Sequence, residues 1–391
     1  MRVKLLAHRG APAAVFESGA EQLHRLLPPQ HATVVQDDPD LLFFLTGGSE
    51  RAAVESVRTG KLVALVGSQR NNSYASATEV MAHLCNGGGQ ALLLDQDDPG
   101  TPGLLADLDQ VLAGLARLRG KRLGLVGEVS EWLVASSVPA EALRRVLGIE
   151  LEQVRWESLP HYSSQVPDSA VLSAFAAPAG TDLADTARVA SLLRAAARER
   201  ALDALTVECF SLVKGSGVTA CLPLAQFNAE GFPAACEGDI ASAAGMMLGR
   251  EVVGEVPWMA NLNRAGERDC LFSHCTVAPT LVARQRVTTH FETGAGTSVE
   301  GDLAADQVTV FRLNDRLTQA FLALGPVTGR PRFETACRTQ IEVQLPPGAA
   351  LRLRERPLGN HHLIFPGDVV RRLSLACRAL QVEADTYLAG D

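Results

Sequence analysis

The sequence predicts an α/β protein: two Rossmann-like layered α/β units followed by a C-terminal antiparallel, β-barrel-like domain. Three observations predict it. Apolar runs of strand length alternate with helical patterns through the N-terminal third. The same alternation restarts at Lys121. After about Val252 the helical periodicity fades, and strand-like pieces follow one another between Gly and Pro turns. The expected domains are therefore 1–118, 119–252 and 253–391, since 391 residues are too many for one ordinary core.

The first unit offers the strands VKLLAH, ATVVQ, LLFFL, LVALVG and ALLLD, with apolar residues at helical spacing in ATEVMAHLC and LLADLDQVLAGLARL. Several strands end in turn chemistry that could face a ligand: Thr46 to Ser49, Gly67 to Gln69, and Asp95 to Gly100. In the second unit, KRLGLVGE, LEQVRW and ALTVECF are strands, EALRRVLG is a helix, and a long Ala/Arg/Leu helix runs from about Asp182 to Arg200. PHYSSQVPDS is a loop. In the third, THFET, QVTVFRL, RTQIEVQL and ALRLRER are expected as strands, with Arg352, Arg354 and Arg356 as the polar face of the last. A helix over DVVRRLSLACRALQVEADTYL closes the chain.

Composition narrows the function. A net charge of −8 with no offsetting basic block argues against nucleic acid and anionic membranes as partners. No apolar stretch approaches the roughly 20 residues of a membrane helix, and MRVKLLAHRG lacks the apolar region of a secretory leader. The eight cysteines are scattered in apolar context, which suits small buried residues rather than a disulfide framework. A cytoplasmic protein is expected.

The chemistry concentrates at strand ends. Glu208 ends the apolar strand ALTVECF, and Glu237 lies in AACEGDI, where a small apolar run hands over to the helix formers ASAAGMML. The carboxyl edge of an open α/β sheet is where ligands bind. One crossover through LPLAQFN could bring both acids to neighbouring strand ends, where they repel unless a cation joins them or one is protonated. Asp239, just ahead of the helical run, has the position of an N-cap. Histidine supplies further donors: His274 in FSHCTVAPTLV, and His361 or His362 in PLGNHHLIFPGD. Two acids and two histidines in buried segments suit Mn²⁺, Co²⁺ or Mg²⁺ better than a thiolate zinc site. A zinc cluster of Cys270, His274 and Cys275 lacks paired C-x-x-C spacing. Gly215 to Ala220 matches G-x-G-x-x-A formally, but no acid follows at the end of a second strand. A structural turn and no nucleotide cofactor are expected there.

Together TVECFSLVKGSGVTACLPLAQFNAEGFPAACEGD, SHCTVAPTLV, FETGAGTSVEGD and RPLGNHHLIFPGD resemble the L-fucose isomerase and L-arabinose isomerase superfamily, in its short fucose-isomerase-like form. LTGGSE, VGSQRNNSYASATEV and GLVGEVSEWLVASS are similar to the N-terminal loops of that family. The resemblance implies a metal-dependent aldose–ketose isomerase, with Glu208 and Glu237 as metal ligands and acid–base pair. His274 and His361 would complete the ligand set, with His362 as the alternative to His361. Asp239 could share the role of Glu237, since fucose isomerases carry an aspartate as second acid. It also implies trimers or hexamers with active sites between subunits. Arg70, Asn72 and Ser73 would then line a neighbour's substrate site, Arg70 facing an anionic substituent. The alternatives are a sugar-binding or regulatory protein without turnover, and a metal-dependent epimerase or lyase.

Overall fold

The computed structural model describes residues 1–58 and 60–388. The chain divides into two compact units, Met1–Ala113 with Leu375–Gln381, and Gly114–Ser374 with Val382–Asp391.

The first unit holds a sheet of five strands: β1 (Arg2–Leu6), β2 (Thr33–Val34), β3 (Leu41–Phe44), β4 (Leu62–Gly67) and β5 (Gln90–Asp95). Their order is β2-β1-β3-β4-β5 and every pairing is parallel. LLFF and LVALVG are buried along their whole length, as parallel strands covered on both faces must be. Helices Ala13–Leu26, Glu50–Ser56 and Ser73–Asn86 supply the connections. Three loops leaving the carboxyl ends of β1, β3 and β4 surround a groove of about 550 Å³, lined by His8, Thr46, Gly47, Asn71 and Asn72 among others.

The second unit opens with four parallel strands, β6 (Arg122–Val126), β7 (Glu150–Val154), β8 (Ala204–Val207) and β9 (Ala234–Cys236), in the order β7-β6-β8-β9. The pattern Ala-Ala-Cys is short, yet it is completely buried against helix Ile240–Val252. After β10 (Trp258–Ala265) and β11 (Asp269–His274) comes a separate two-stranded ribbon, β12 (Val282–Thr288) with β13 (Ser298–Leu303). Then follow β14 (Gln307–Leu313), β15 (Gln319–Gly329), β16 (Thr339–Gln344) and β17 (His361–Pro366). The antiparallel order β14-β17-β10-β11-β16-β15 returns to β14 and closes a six-stranded barrel. The last strand, β18 (Glu383–Tyr387), adds to β15 in parallel. Gly245 and Gly249 let the Leu363 and Phe365 side chains lie directly on helix Ile240–Val252, where a Cβ would come within 2.6 Å of each. The odd-numbered side chains of β17 therefore face the helix.

Three expectations are overturned. ALRLRER is helical within Pro347–Glu355: Pro346 and Pro347 start the helix, and the buried residues Ala349, Ala350 and Leu353 have helical spacing. Arg352 reaches Asp385 at 2.6 Å instead of lining a strand face. THFET is the loop after β12, not a strand, since its chain folds back through hydrogen bonds within residues 290–295. The closing helix stops at Ala379, Gln381 turns the chain with φ +58°, and EADTY finds a ladder on β15. The Gly-Ser-Gly match is a helix end: Phe210–Ser216 terminates on left-handed Gly217.

Candidate active site

Strands β8 and β9 are neighbours in register, with Val207 opposite Cys236. The residues that follow them, Glu208 and Glu237, thus leave adjacent strand ends. The turn after β9 is tightly specified. Glu237 and Gly238 both have left-handed backbone, at φ +63° and +71°. A Cβ on residue 238 would strike the Glu128 carbonyl oxygen, so only glycine fits. A glutamate held in the left-handed region costs on the order of 1 kcal/mol, and such strain collects at functional sites. Asp239 then caps helix Ile240–Val252, its Oδ1 accepting the Ser242 N–H at 2.7 Å.

Three side chains converge on this turn. Glu237 is 8 % exposed, His274 3 % and His361 0 %. The Nε2 atoms of His361 and His274 lie 3.6 and 3.8 Å from Glu237 Oε1, and neither has a hydrogen-bond partner. The two rings meet edge to face with centroids 5.5 Å apart. The other oxygen of Glu237, Oε2, accepts the Trp132 Nε1–H at 2.8 Å. Cys236 completes a second grouping: its thiol, a Glu237 oxygen and a His274 nitrogen lie within 4.8 Å of one another.

Alternation along β17 separates the two candidate histidines. His361 shares the face of Leu363 and Phe365. Its Nδ1–H donates to Asp239 Oδ2 at 2.9 Å, which turns Nε2 toward Glu237. His362 points the other way, between Phe272 and Phe321, and donates its Nδ1–H to the Asn360 carbonyl. On His274, Nδ1 lies 2.8 Å from the Thr276 hydroxyl and 3.2 Å from the Thr276 N–H.

Arg312, itself buried, anchors the arrangement from beneath. Its guanidinium donates to Asp239 Oδ2, the Ser242 hydroxyl, the Ala135 carbonyl and the Ser136 hydroxyl at 2.9–3.2 Å. Asp239 is therefore helix cap, counter-ion and orienter of His361 at once.

The charges follow the geometry. Burial lowers the His361 pKa, but the hydrogen bond to Asp239 and the negative charges of Glu237 and Asp239 outweigh it and hold it up at about 9. Burial would raise the Glu237 carboxyl, yet His361, His274 and the Trp132 N–H hold it down at about 2. Asp239 stays well below the carboxylate range against its own burial, chiefly through Arg312 and His361. Burial pushes His274 to about 3, with the charge of His361 adding to it.

These donors fit a divalent cation. At a metal–ligand distance of about 2.1 Å, neighbouring donor atoms stand roughly 3 to 3.5 Å apart, close to the spacing found. The orphaned imidazole nitrogens gain a partner, and the Asp239–His361 bond supplies the outer support that metal-bound histidines usually have. Cys236 is a weak donor here. The Cys209 thiol, 3.3 Å away, and burial push its pKa well up, so it stays protonated.

Not every expected residue joins the cluster. Both oxygens of Glu208 accept the Ser211 N–H, at 3.1 and 3.3 Å. Glu208 instead borders an open groove of about 640 Å³ with Trp132, Arg155, Trp156 and Lys214, at the carboxyl ends of β6, β7 and β8. In the first unit, Arg70 and Asn72 are exposed, while the Ser73 hydroxyl is buried and bonded to the Ser68 carbonyl and N–H. Among the described residues, Cys270, His274 and Cys275 form no metal-sized cluster. Sequence inspection missed Trp132, Arg312, Thr276 and Cys236. The arginine in QVTVFRL was the available signal, as a charge inside a strand otherwise apolar at its end.

A curated sulfoquinovose isomerase from Clostridium sp. (strain MSTE9) is similar, at 28% identity over 200 residues. The match spans 48% of this chain and 44% of that protein, less than half the length of the relative. No family model matches the chain. No helix among the described residues is long and apolar enough to cross a membrane. The comparison supports a relationship to sugar isomerases, and the geometry above contains a metal-compatible group of buried donors.

Proposed function

We propose that this chain is a metal-dependent aldose–ketose isomerase acting on a hexose with an anionic substituent, of the sulfoquinovose kind. The observation that carries the proposal is the convergence of Glu237, His274 and His361, with two imidazole nitrogens buried without a partner. The similarity to a sulfoquinovose isomerase supports the sugar.

Glu237, His274 and His361 would hold the ion, and oxygen and nitrogen donors beside a protonated thiol favour Mn²⁺, with Co²⁺ or Mg²⁺ as substitutes. When bound, it would polarise the carbonyl and acidify the adjacent C–H bond. The remaining work belongs to the protein. Asp239 fixes the His361 tautomer, and Arg312 keeps Asp239 charged. Glu237 and Glu208 take a proton from one carbon and return it to its neighbour through an enediol. Glu208 releases the Ser211 N–H to do so. Each such transfer contributes typically about 10²–10⁴-fold. The groove beside Trp132 and Trp156 admits the sugar, whose C–H faces pack on the indoles. Homo-oligomers, trimeric or hexameric, bring Arg70 and Asn72 to a neighbour's site, where the Arg70 guanidinium binds the anionic group.

Proton NMR in D₂O tests the proposal, with Mn²⁺ and sulfoquinovose beside unsubstituted aldoses. The expected result is a ketose carrying solvent deuterium. An epimer with its carbonyl still at C1 would replace the isomerase by an epimerase, and no conversion of any sugar would remove the enzymatic reading.

A further inference from the structure

The loop between β12 and β13, HFETGAGT, carries two titratable groups that the roles above leave unused. His290 Nε2 lies 3.4 Å from Glu292 Oε2, with the His290 side chain 6 % exposed and that of Glu292 43 %. Thr293 Oγ1 accepts the Ala295 N–H at 3.3 Å, so its own proton is free to be given to His290 Nδ1, 3.1 Å away. This leaves His290 Nε2–H to face the carboxylate.

The loop is pinned at both ends. Arg338 donates to the Thr289 carbonyl and hydroxyl. At the other end Thr219 receives the Thr297 N–H at 3.0 Å and donates to the Thr297 carbonyl. Ring contacts join the loop to the candidate site. The His290 ring meets Phe210 at 5.6 Å, Phe210 meets Trp132 at 4.7 Å, and Trp132 donates to Glu237. Burial, then the charge of Glu237, push the Glu292 carboxyl up, and His361 opposes them. Burial lowers the His290 pKa, so the ring is neutral.

We infer that Glu292, held by His290, is a further catalytic acid–base group that moves the proton between the two oxygens of the sugar. The inference rests on the isomerase proposal. An aldose becoming a ketose moves one proton from C2 to C1 and another from O2 to O1. Glu237 and Glu208 serve the carbons. As the C2–H bond breaks, its proton passes to one of these two carboxylates and its electron pair forms C1=C2, while the C=O pair moves onto O1 and takes a proton from protonated Glu292. In the second half, Glu292 accepts the O2–H proton as C2=O forms, and the C1=C2 pair takes up at C1 the proton held by the same carboxylate that removed it from C2. Each group ends as it began. A carboxyl group can give a proton in one half and accept one in the other. His290 is a positioning residue.

The test compares wild type, Glu292→Gln, Glu292→Asp and His290→Asn with sulfoquinovose and Mn²⁺ in D₂O. Ketose formation by Glu292→Gln should fall at least about 10²-fold, deuterium exchange at C2 of the aldose should fall with it because O1 is protonated as the C2–H bond breaks, and bound metal should be unchanged. Glu292→Asp should recover part of the rate, and His290→Asn should lose roughly tenfold. A second readout needs no turnover. Mn²⁺ should broaden the ¹³C carboxyl resonance of Glu292 in wild type, and not in His361→Ala. If wild type turns over and Glu292→Gln matches it, or the resonance is not broadened while Mn²⁺ binds, the role of Glu292 is overturned and the isomerase stands. If wild type neither binds Mn²⁺ nor converts sugar, the isomerase proposal falls and takes this one with it.

Discussion

Asp239→Asn isolates the charge on which the candidate site is built. The asparagine oxygen can still accept the Ser242 N–H, so the helix cap survives. What disappears is the negative charge between Arg312 and His361, both almost wholly buried. Arg312 keeps its bonds to Ser242, Ala135 and Ser136 but loses its counter-ion. Removing one partner of a buried pair typically costs about 3–5 kcal/mol. The remaining neutral acceptors place the expected loss near the lower end, about 3 kcal/mol. For a unit of this size that corresponds to roughly 6–12 °C in Tm. Replacing both partners, Asp239→Asn with Arg312→Met, removes the stranded charge and should be less destabilised than Asp239→Asn alone. Thermal melts of the four proteins in one buffer, followed by near-UV circular dichroism, read this directly. Asp239→Asn within about 1 kcal/mol of wild type, or a double variant worse than the sum of the singles, would refute the charge pairing.

The remaining predictions concern the turn, the indole and the ion. Gly238→Ala and Gly217→Ala change residues of the same φ, +71°, but only the first meets a carbonyl oxygen; calorimetry should show about 1 kcal/mol lost at Gly217 and several at Gly238. Trp132→Phe keeps the ring on Phe210 and deletes one hydrogen bond to a buried carboxylate, so thermal melts should show about 1.5–3 kcal/mol lost and steady-state assays a lower turnover. With a pKa held up at about 9, His361 is protonated at neutral pH, and loading the ion should release about one proton per chain at pH 7.5, measured with an indicator dye. The sign on stability follows. In the metal-free protein the His361 pairing stabilises fully below about pH 6.5 and is lost as pH rises through about 9.

Strands written as continuous apolar runs were legible in the sequence, because burial on both faces leaves a plain signature: LVALVG is β4 to the residue. QVTVFRL was equally plain and is β14. ALRLRER was not, since alternating Arg and Leu over seven residues satisfies period 2, and the two prolines before it decide for helix. EADTY is too polar to announce a strand and becomes one only because β15 offers an edge. At the site, Glu237, His274 and His361 stood out as polar residues in apolar runs. The choice between His361 and His362 depended on which face of β17 meets helix Ile240–Val252. That is a tertiary fact. Trp132 and Arg312 act through atoms far away in sequence, and local pattern does not show such contacts.

Metal stoichiometry after Mn²⁺ loading and gel filtration decides whether Glu237, His274 and His361 hold an ion. Wild type and His362→Leu should each retain about one Mn²⁺ per chain, while Glu237→Gln, His274→Ala and His361→Ala, checked as folded, should retain far less. Equal metal in His361→Ala and His362→Leu, or none in the wild type, would contradict the account.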